Sequence, residues 1–517
     1  MATLPASLWI GNAAAVLAGR HGDVTRHARQ AGCSRQAAYQ HARRVLHAVE
    51  DDRLPGPDRQ QLLQDNQALR GEVERLRGLL RQRPPLAPDA PKRFAVTAGA
   101  LGLSLNQSEE LLGALFEGQG PDRSSLGRWL SHAAGRAREV LRVLDAACQP
   151  TAAALAIDEI FFHGRPVLVG VEPGSFATLL CRRADDRSGD TWAEALRPFT
   201  GLEFAIHDAG TGLSAGVAAV SAERLAQGKP PLADGLDLFH TEQEAQALLA
   251  RLWRQVEANW EEAEGADRRL EQARQRGHDA RGPAARARAA WARAFERFRW
   301  YEHWEGLWRR AQAALRLYRP DGRLNDRAWA SAELAAVCAG LSGSYWKKLR
   351  GYLQDRRLLT FLDRVWQRLE AAAPEPVLRE ALVRLQRLEW EARGGEALAL
   401  SRVAVQRAAC AKLSADWGAR YERVCAALRG VVRASSAVEC VNSVLRMHQG
   451  RHRTVTQGLL DLKRLYWNSR QFREGKRKGK CPYQHLGLEL PSYDFWTLLQ
   501  SDPQELAQQL STAKVAA

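Results

Sequence analysis

The chain has 517 residues and a mass of 57.5 kDa, too long for one ordinary domain. With 45% hydrophobic and 26% charged residues it can bury several cores, which excludes wholesale disorder. Seventy-five Lys and Arg against 59 Asp and Glu give a formal +16, which favours a polyanionic partner, nucleic acid ahead of an anionic membrane surface.

No stretch reaches the ~18 apolar residues of a spanning helix, and no basic segment precedes the apolar start as in a secretory signal. Eight scattered cysteines without a CxxC pair fit a reducing compartment and argue against a disulfide framework or structural zinc. A cytoplasmic protein with no membrane partner is expected.

Residues 1–54 read as helical. A short helix from Asp23 ends at Gly32, and a second opens behind Ser34 as N-cap. This is the layout of a helix-turn-helix, in which Arg35, Gln36, Tyr39 and Arg43 of the second helix would meet DNA. A plain helical hairpin with a solvated basic face gives the same pattern.

In residues 55–91, Leu62, Asn66, Leu69, Val73, Leu76 and Leu80 alternate at spacings of four and three. That is a coiled-coil seam, and Asn at a core position favours a parallel dimer. A surface helix with a narrow apolar stripe is the alternative. The Pro-rich run from Arg83 to Pro91 is a stiff linker.

Residues 92–149 read as a second helical unit, either another helix-turn-helix or a helical subdomain that only packs. Asp122 is an N-cap there, and Arg123 and Arg128 could face phosphates.

After Pro150 the pattern changes. Ala153–Phe162, Pro166–Val171 and Ala177–Arg183 read as strands, the first two joined by a His163-Gly164-Arg165 turn. A helix from Ser188 to Leu196, a strand Phe204–Asp208, a helix Leu213–Leu225 and a strand Leu236–His240 follow. This order, over residues 150–240, resembles the ribonuclease H fold.

Residues 241–434 lack strand patterns and carry eleven of the sixteen Trp. They read as a helical insertion with an aromatic core. The core resumes over residues 435–474 with a helix holding Glu439, Asn442 and Arg446. From Arg446 to Lys480 eleven Lys and Arg face two acids. Arg451 and Arg453, and Lys476, Arg477 and Lys478 in an arm and tail over residues 475–517, are expected to touch DNA.

Three acids stand where folding alone would not put them. Asp158 interrupts an apolar strand, although a buried carboxylate is costly unless paired or bound to a cation. Asp208 ends another strand before a Gly-rich turn, and Glu439 follows the insertion. Each has a plainer reading: a pair with Arg165 or Arg183 for Asp158, a helix cap for Asp208, a surface position for Glu439. Glu159 competes with Asp158, but neighbours on a strand face opposite ways. If the three converge, they form a hard oxygen site suited to Mg2+ or Mn2+.

In that chain order, on strand, strand and helix, Asp158, Asp208 and Glu439 resemble the DDE triad of transposases from bacterial insertion sequences. The Ala-Ile-Asp-Glu strand, the Ile-His-Asp strand end and the Ser-Ala-Val-Glu-Cys-Val-Asn helix carry the resemblance. Asp208 and Glu439 lie 231 residues apart, which is similar to family members with an all-helical insertion before the Glu.

The resemblance implies a multidomain α+β protein with a ribonuclease H-like core. It implies an enzyme that binds terminal inverted repeats and target DNA as a homodimer or higher oligomer. Two metal ions held by Asp158, Asp208 and Glu439 would support phosphodiester cleavage and strand transfer. An inactive DNA-binding regulator and a structure-selective nuclease on the same fold are the alternatives.

Overall fold

A computed structural model describes residues 6–20, 22–50, 59–81, 89–116, 120–449 and 455–515. The chain divides into two compact units, Met1–Pro88 and Asp89–Ala517. The protein is mostly helical with one mixed five-stranded sheet, an α+β architecture.

The first unit holds α1 (Ala6–Leu17), α2 (Asp23–Gln30), α3 (Arg35–Glu50) and α4 (Arg59–Arg81). Ser34 Oγ accepts from the Ala37 amide at 3.1 Å and so starts α3 as its N-cap. The three short helices close on small residues, with Ala13, Ala28, Ala38 and Ala42 buried. Trp9 stacks on His41 at 4.9 Å. On α4, Asn66, Leu69 and Val73 are exposed, Leu69 by 66%. The side chains of Leu62, Leu76 and Leu80, and the linker residues 83–88, lie outside the described residues.

The second unit begins with α5 (Ala90–Leu101), α6 (Leu105–Leu115) and α7 (Arg123–Cys148). Ser104 and Gln107 form a capping box at α6, and Asp122 caps α7 through the Ser125 amide at 2.8 Å.

The sheet region runs β1 (Ala154–Phe162), β2 (Arg165–Val171), β3 (Thr178–Arg183), α8 (Gly189–Leu196), β4 (Phe204–His207), α9 (Thr211–Ala226) and β5 (Ala233–Leu236). Strand order is β3-β2-β1-β4-β5, antiparallel through β3, β2 and β1 and parallel through β1, β4 and β5. His163 and Gly164, with φ of 49° and 80°, make the two-residue hairpin turn, which needs positive φ at both positions.

Alternation along β1 divides two cores. Leu155 and Ile157 pack with α7, α8 and α9 residues, Trp192 and Val217 among them. Ala154, Ala156, Ile160 and Phe162 face the other way, onto Val438 and Leu445.

Beyond β5 come α10 (Leu238–Gln275), α11 (Arg281–Ala314), α12 (Arg327–Gly340), α13 (Lys347–Gln354), α14 (Thr360–Ala372), α15 (Pro376–Glu391), α16 (Ala397–Leu413) and α17 (Trp417–Arg429). α10 and α11 form a hairpin zipped on Ala263, Ala266, Ala287, Ala290 and Ala294, where small side chains let the helices approach closely.

The insertion thus has several clusters, not a single aromatic core. Trp308 and Trp346 are buried, most of its other Trp are half-buried, and Trp300 and Trp390 are exposed. The expected strand Leu236–His240 is corrected: β5 ends at Leu236. Asp237 then caps α10 by accepting from the Phe239 amide at 2.8 Å, which turns 238–240 into helix.

The chain returns through α18 (Ser436–Gln449) and α19 (Gln457–Ser469), then α20 (Pro482–His485), α21 (Phe495–Gln500) and α22 (Pro503–Val515). A free arm and tail from residue 475 is not what forms. Tyr483, Leu499, Leu506 and Leu510 are buried in the core that also holds α7.

Residues 92–149 share that core instead of standing as a separate unit, because Val96, Ala137 and Leu144 pack with Leu462 and Leu465. The basic stretch on 446–480 is also partly internal. Lys463 donates to the Gly99 and Ala100 carbonyls at the end of α5, and Arg464 to Asp145 at 2.5 Å.

Candidate active site

Register brings the first two acids together. β1 and β4 pair in parallel as Ala154 with Phe204, Leu155 with Ala205 and Ala156 with Ile206. Carried two residues further, the same register sets Asp158 opposite Asp208, and adjacent strands lie ~4.8 Å apart.

Asp158 belongs to the even-numbered face of β1, the face covered by α18. Glu159 points to the other face, where it accepts from Arg187 at 2.9 Å and from the Trp192 indole at 3.2 Å. Alternation therefore selects Asp158 for the cleft and gives Glu159 a structural role.

Asp158 is held from two sides. Its Oδ1 accepts from the Glu159 amide at 2.8 Å, and its Oδ2 accepts from Asn442 Nδ2 at 2.6 Å. Burial pushes its pKa from 3.8 up to about 7. The Glu159 amide and nearby His240 oppose the rise, and the neighbouring charges of Glu439 and Asp208 add to it. Both other acids are thus close enough to resist its ionisation. Arg165 turns away to Asp185, so the alternative pairing of Asp158 with that arginine does not form.

Asp208 accepts from the Gly210 amide at 2.9 Å, tightening the turn into α9. It does not cap α9, whose N-cap position is Gly210. Glu439 lies in the first turn of α18, with its side chain 20% exposed. Arg446 donates to its Oε2 at 3.3 Å, and His240 Nε2 approaches its Oε1 to 3.8 Å. An ordinary surface glutamate is not enclosed in this way.

Among the described residues no three His, Cys, Asp or Glu side chains stand together at metal-binding distance. Like charges repel, and each of these carboxylates is turned to its own donor: Asn442, the Gly210 amide or Arg446. The oxygens are nonetheless the hard donors that Mg2+ or Mn2+ takes. Beside Asp158, the Asn442 side chain is buried, with its Oδ1 lacking a hydrogen-bond partner among the described residues.

No protein-family model and no curated protein matches the chain.

One residue at this site, Asp237, is not singled out by sequence pattern. Asp237 is fully buried, and it ties the start of the insertion to its end. It caps α10 and also accepts from the Ser435 amide at 3.0 Å and from the Ser435 hydroxyl. The Leu238 amide donates to the Arg433 carbonyl at 3.1 Å beside it. A chain of about 200 residues therefore leaves and re-enters the sheet region at one point, one turn of helix before Glu439. His240, on the first turn of α10, brings its Nε2 to 3.7 Å from Asp237 and 3.8 Å from Glu439. The only advance signal for Asp237 is an acid between an apolar strand end and a helix.

The remaining expected residues are distributed. Arg35, Gln36, Tyr39 and Arg43 all lie on the exposed face of α3. Arg123 and Arg128 are exposed near the start of α7, where Arg128 donates to Ser125 Oγ at 3.0 Å. Arg446 is at the acidic site. Arg451 and Arg453 lie outside the described residues.

Lys476 and Lys478 are exposed. Arg477 is not free: it lies over the Phe176 ring at 4.2 Å and donates to the Pro173 and Gly174 carbonyls at 2.9 Å. It anchors its loop to the β2–β3 connection.

Proposed function

We propose that the chain is a DNA transposase of the DDE type, with a ribonuclease H-like core interrupted by an all-helical insertion. The observation that carries this reading is Asp158, bonded to Asn442 of the helix that bears Glu439 and near enough to both Asp208 and Glu439 for their charges to raise its pKa. The strand order β3-β2-β1-β4-β5, with its antiparallel and parallel halves, supports the core.

Asp158, Asp208 and Glu439 would hold Mg2+ or Mn2+, which when bound supplies activation of an attacking oxygen and stabilisation of a leaving oxygen in phosphoryl displacement. Asn442 fixes the orientation of Asp158 through its amide hydrogen bond. Arg446 and His240 flank Glu439 and hold its carboxylate toward the sheet. His240 can also accept or donate a proton beside the acids, since both Asp237 and Glu439 adjoin its Nε2. Asp237 positions His240 and α18 together.

The exposed polar face of α3 supports DNA recognition by the first unit. The exposed Asn66, Leu69 and Val73 on α4 support pairing of two protomers through that helix. No described helix is long and apolar enough to cross a membrane.

The test uses linear DNA ending in the inverted repeats that flank the gene, incubated with the full chain and Mg2+. Nicks exposing 3′-hydroxyls and joined strand-transfer products are expected, and both should fall by at least ~10²-fold in Asp158→Asn and Glu439→Gln. Cleavage without joining would indicate a nuclease. Sequence-specific binding with no Mg2+-dependent cleavage would refute the enzyme.

A further inference from the structure

A cavity of about 920 Å3 opens between the sheet region and the insertion, with none of the three acids in its lining. Its walls come from the start of β1, the β2–β3 connection, the first turns of α10 and α18, the end of α11, the segment after α17 and the 475–477 turn. Six cations line it: Arg316, Arg368, Arg429, Arg433, Lys476 and Arg477. Two carboxylates oppose them, Glu172 and Glu242, and Glu172 is occupied by the Gly174 and Ser175 amides at 2.9 and 2.6 Å.

Three of the cations serve the fold. Arg477 grips two carbonyls, Arg368 reaches Glu203 at 3.6 Å, and the Arg433 guanidinium is opposed by the charge of Glu242. Arg316, Arg429 and Lys476 make no side-chain hydrogen bond or ion pair among the described residues and are exposed. Glu389 offsets part of the Arg429 charge, and the remaining positive charge on a concave surface raises the local concentration of anions.

An aromatic ring narrows the occupant. At the rim the Phe239 side chain is 41% exposed, a flat apolar face beside the cations. A positively charged groove with an aromatic platform is the arrangement that takes unpaired nucleotides. Phe239 is followed by His240, whose ring stands edge-on to it at 5.7 Å and faces Glu439. The cleft and the acids are therefore joined by consecutive residues.

We propose that this basic cleft holds a single DNA strand, with its phosphates on Arg316, Arg429 and Lys476 and a base on Phe239, leading toward the acidic site. The inference rests on the transposase reading only for DNA as the polymer.

The experiment measures fluorescence anisotropy of the full chain with a labelled oligothymidylate, in the absence of divalent metal, across a salt series. The triple variant Arg316→Ala, Arg429→Ala, Lys476→Ala should weaken single-strand binding at least tenfold. It should also flatten the log affinity against log salt slope by about 2, roughly 0.7 for each phosphate that is no longer neutralised. Phe239→Ala should weaken binding and leave that slope unchanged.

A control triple on the α10–α11 hairpin, Arg276→Ala, Arg281→Ala, Arg288→Ala, removes the same charge elsewhere and should change affinity less than threefold. Equal losses in the two triples, an unchanged slope in the cleft triple, or tighter binding of a duplex at the cleft would overturn the proposal. Asp158→Asn should abolish cleavage while sparing strand binding. Failure of cleavage in the wild type would count against the transposase, and failure of the cleft triple against the cleft alone.

Discussion

Asp158 offers the sharpest quantitative test, because its carboxyl titrates far from its ordinary range. In the unfolded chain it loses its proton near pH 3.8, and in the folded protein near pH 7, chiefly because it is buried and then because Glu439 and Asp208 oppose its charge. Between these two values the folded state binds the proton more tightly, so stability falls as pH rises, and above pH 7 the penalty is constant. At ~1.4 kcal/mol per pH unit the penalty is roughly 1.5 kcal/mol at pH 5 and about 4 kcal/mol at pH 8. Asp158→Asn cannot ionise, so its stability relative to wild type should increase over that interval by about 2.5 kcal/mol.

The assay is thermal unfolding in EDTA at pH 5 and pH 8, with Arg123→Ala as a surface reference. A gain of about 2.5 kcal/mol corresponds to several degrees in Tm for a cooperative unit of this size. Adding Mg2+ at pH 8 should stabilise wild type and leave Asp158→Asn unmoved. A Tm difference that stays flat from pH 5 to pH 8 would refute the account of a carboxylate pressed by burial and by two acidic neighbours.

The other expectations concern how the site is held. Asp237→Ala removes the α10 cap and leaves the Ser435 donors buried and unmatched, so a loss of about 3 kcal/mol is expected by denaturant titration. Arg464→Met strands Asp145 with burial already raising its pKa, and should cost about 3–5 kcal/mol. Gly216→Ala drives a methyl into Trp192 Cβ, so α8 and α9 must part, which should lower Tm and shift the Trp emission. The proposed pairing through α4 predicts a dimer or higher oligomer in sedimentation that Leu69→Asp reduces to a monomer with the fold intact.

Local chemistry explains which elements are readable from sequence. Ser34, Ser104, Asp122 and Ser188 announce their helices because each cap acts within three residues. The strands of the hairpin and of β4 are apolar runs bounded by turn residues, and period-two alternation separates Asp158 from Glu159. Sequence pattern misplaces the fifth strand by several residues because Leu236–His240 is apolar through most of its length. Only the side chain of Asp237 bonding to the Phe239 amide makes its second half helical. Arg477 and Lys463 read as free cations because a sequence carries charge but not the carbonyls that receive it.

What the sequence determined by itself was the inventory: three misplaced acids in a given order, a helix-capped alternating core, a strandless insertion and an excess of positive charge. All of these are consequences of residue type and short-range spacing. The tertiary structure decided which of them meet. Parallel pairing of β1 with β4 brings the strand end before Asp208 beside β1, and Asp237 clamps the two ends of the insertion so that Glu439 returns within electrostatic reach of Asp158. The C-terminal segment is folded into the core by burial of Tyr483 and Leu510. Such pairings depend on strand register and on contacts between residues hundreds of positions apart, which no local pattern encodes.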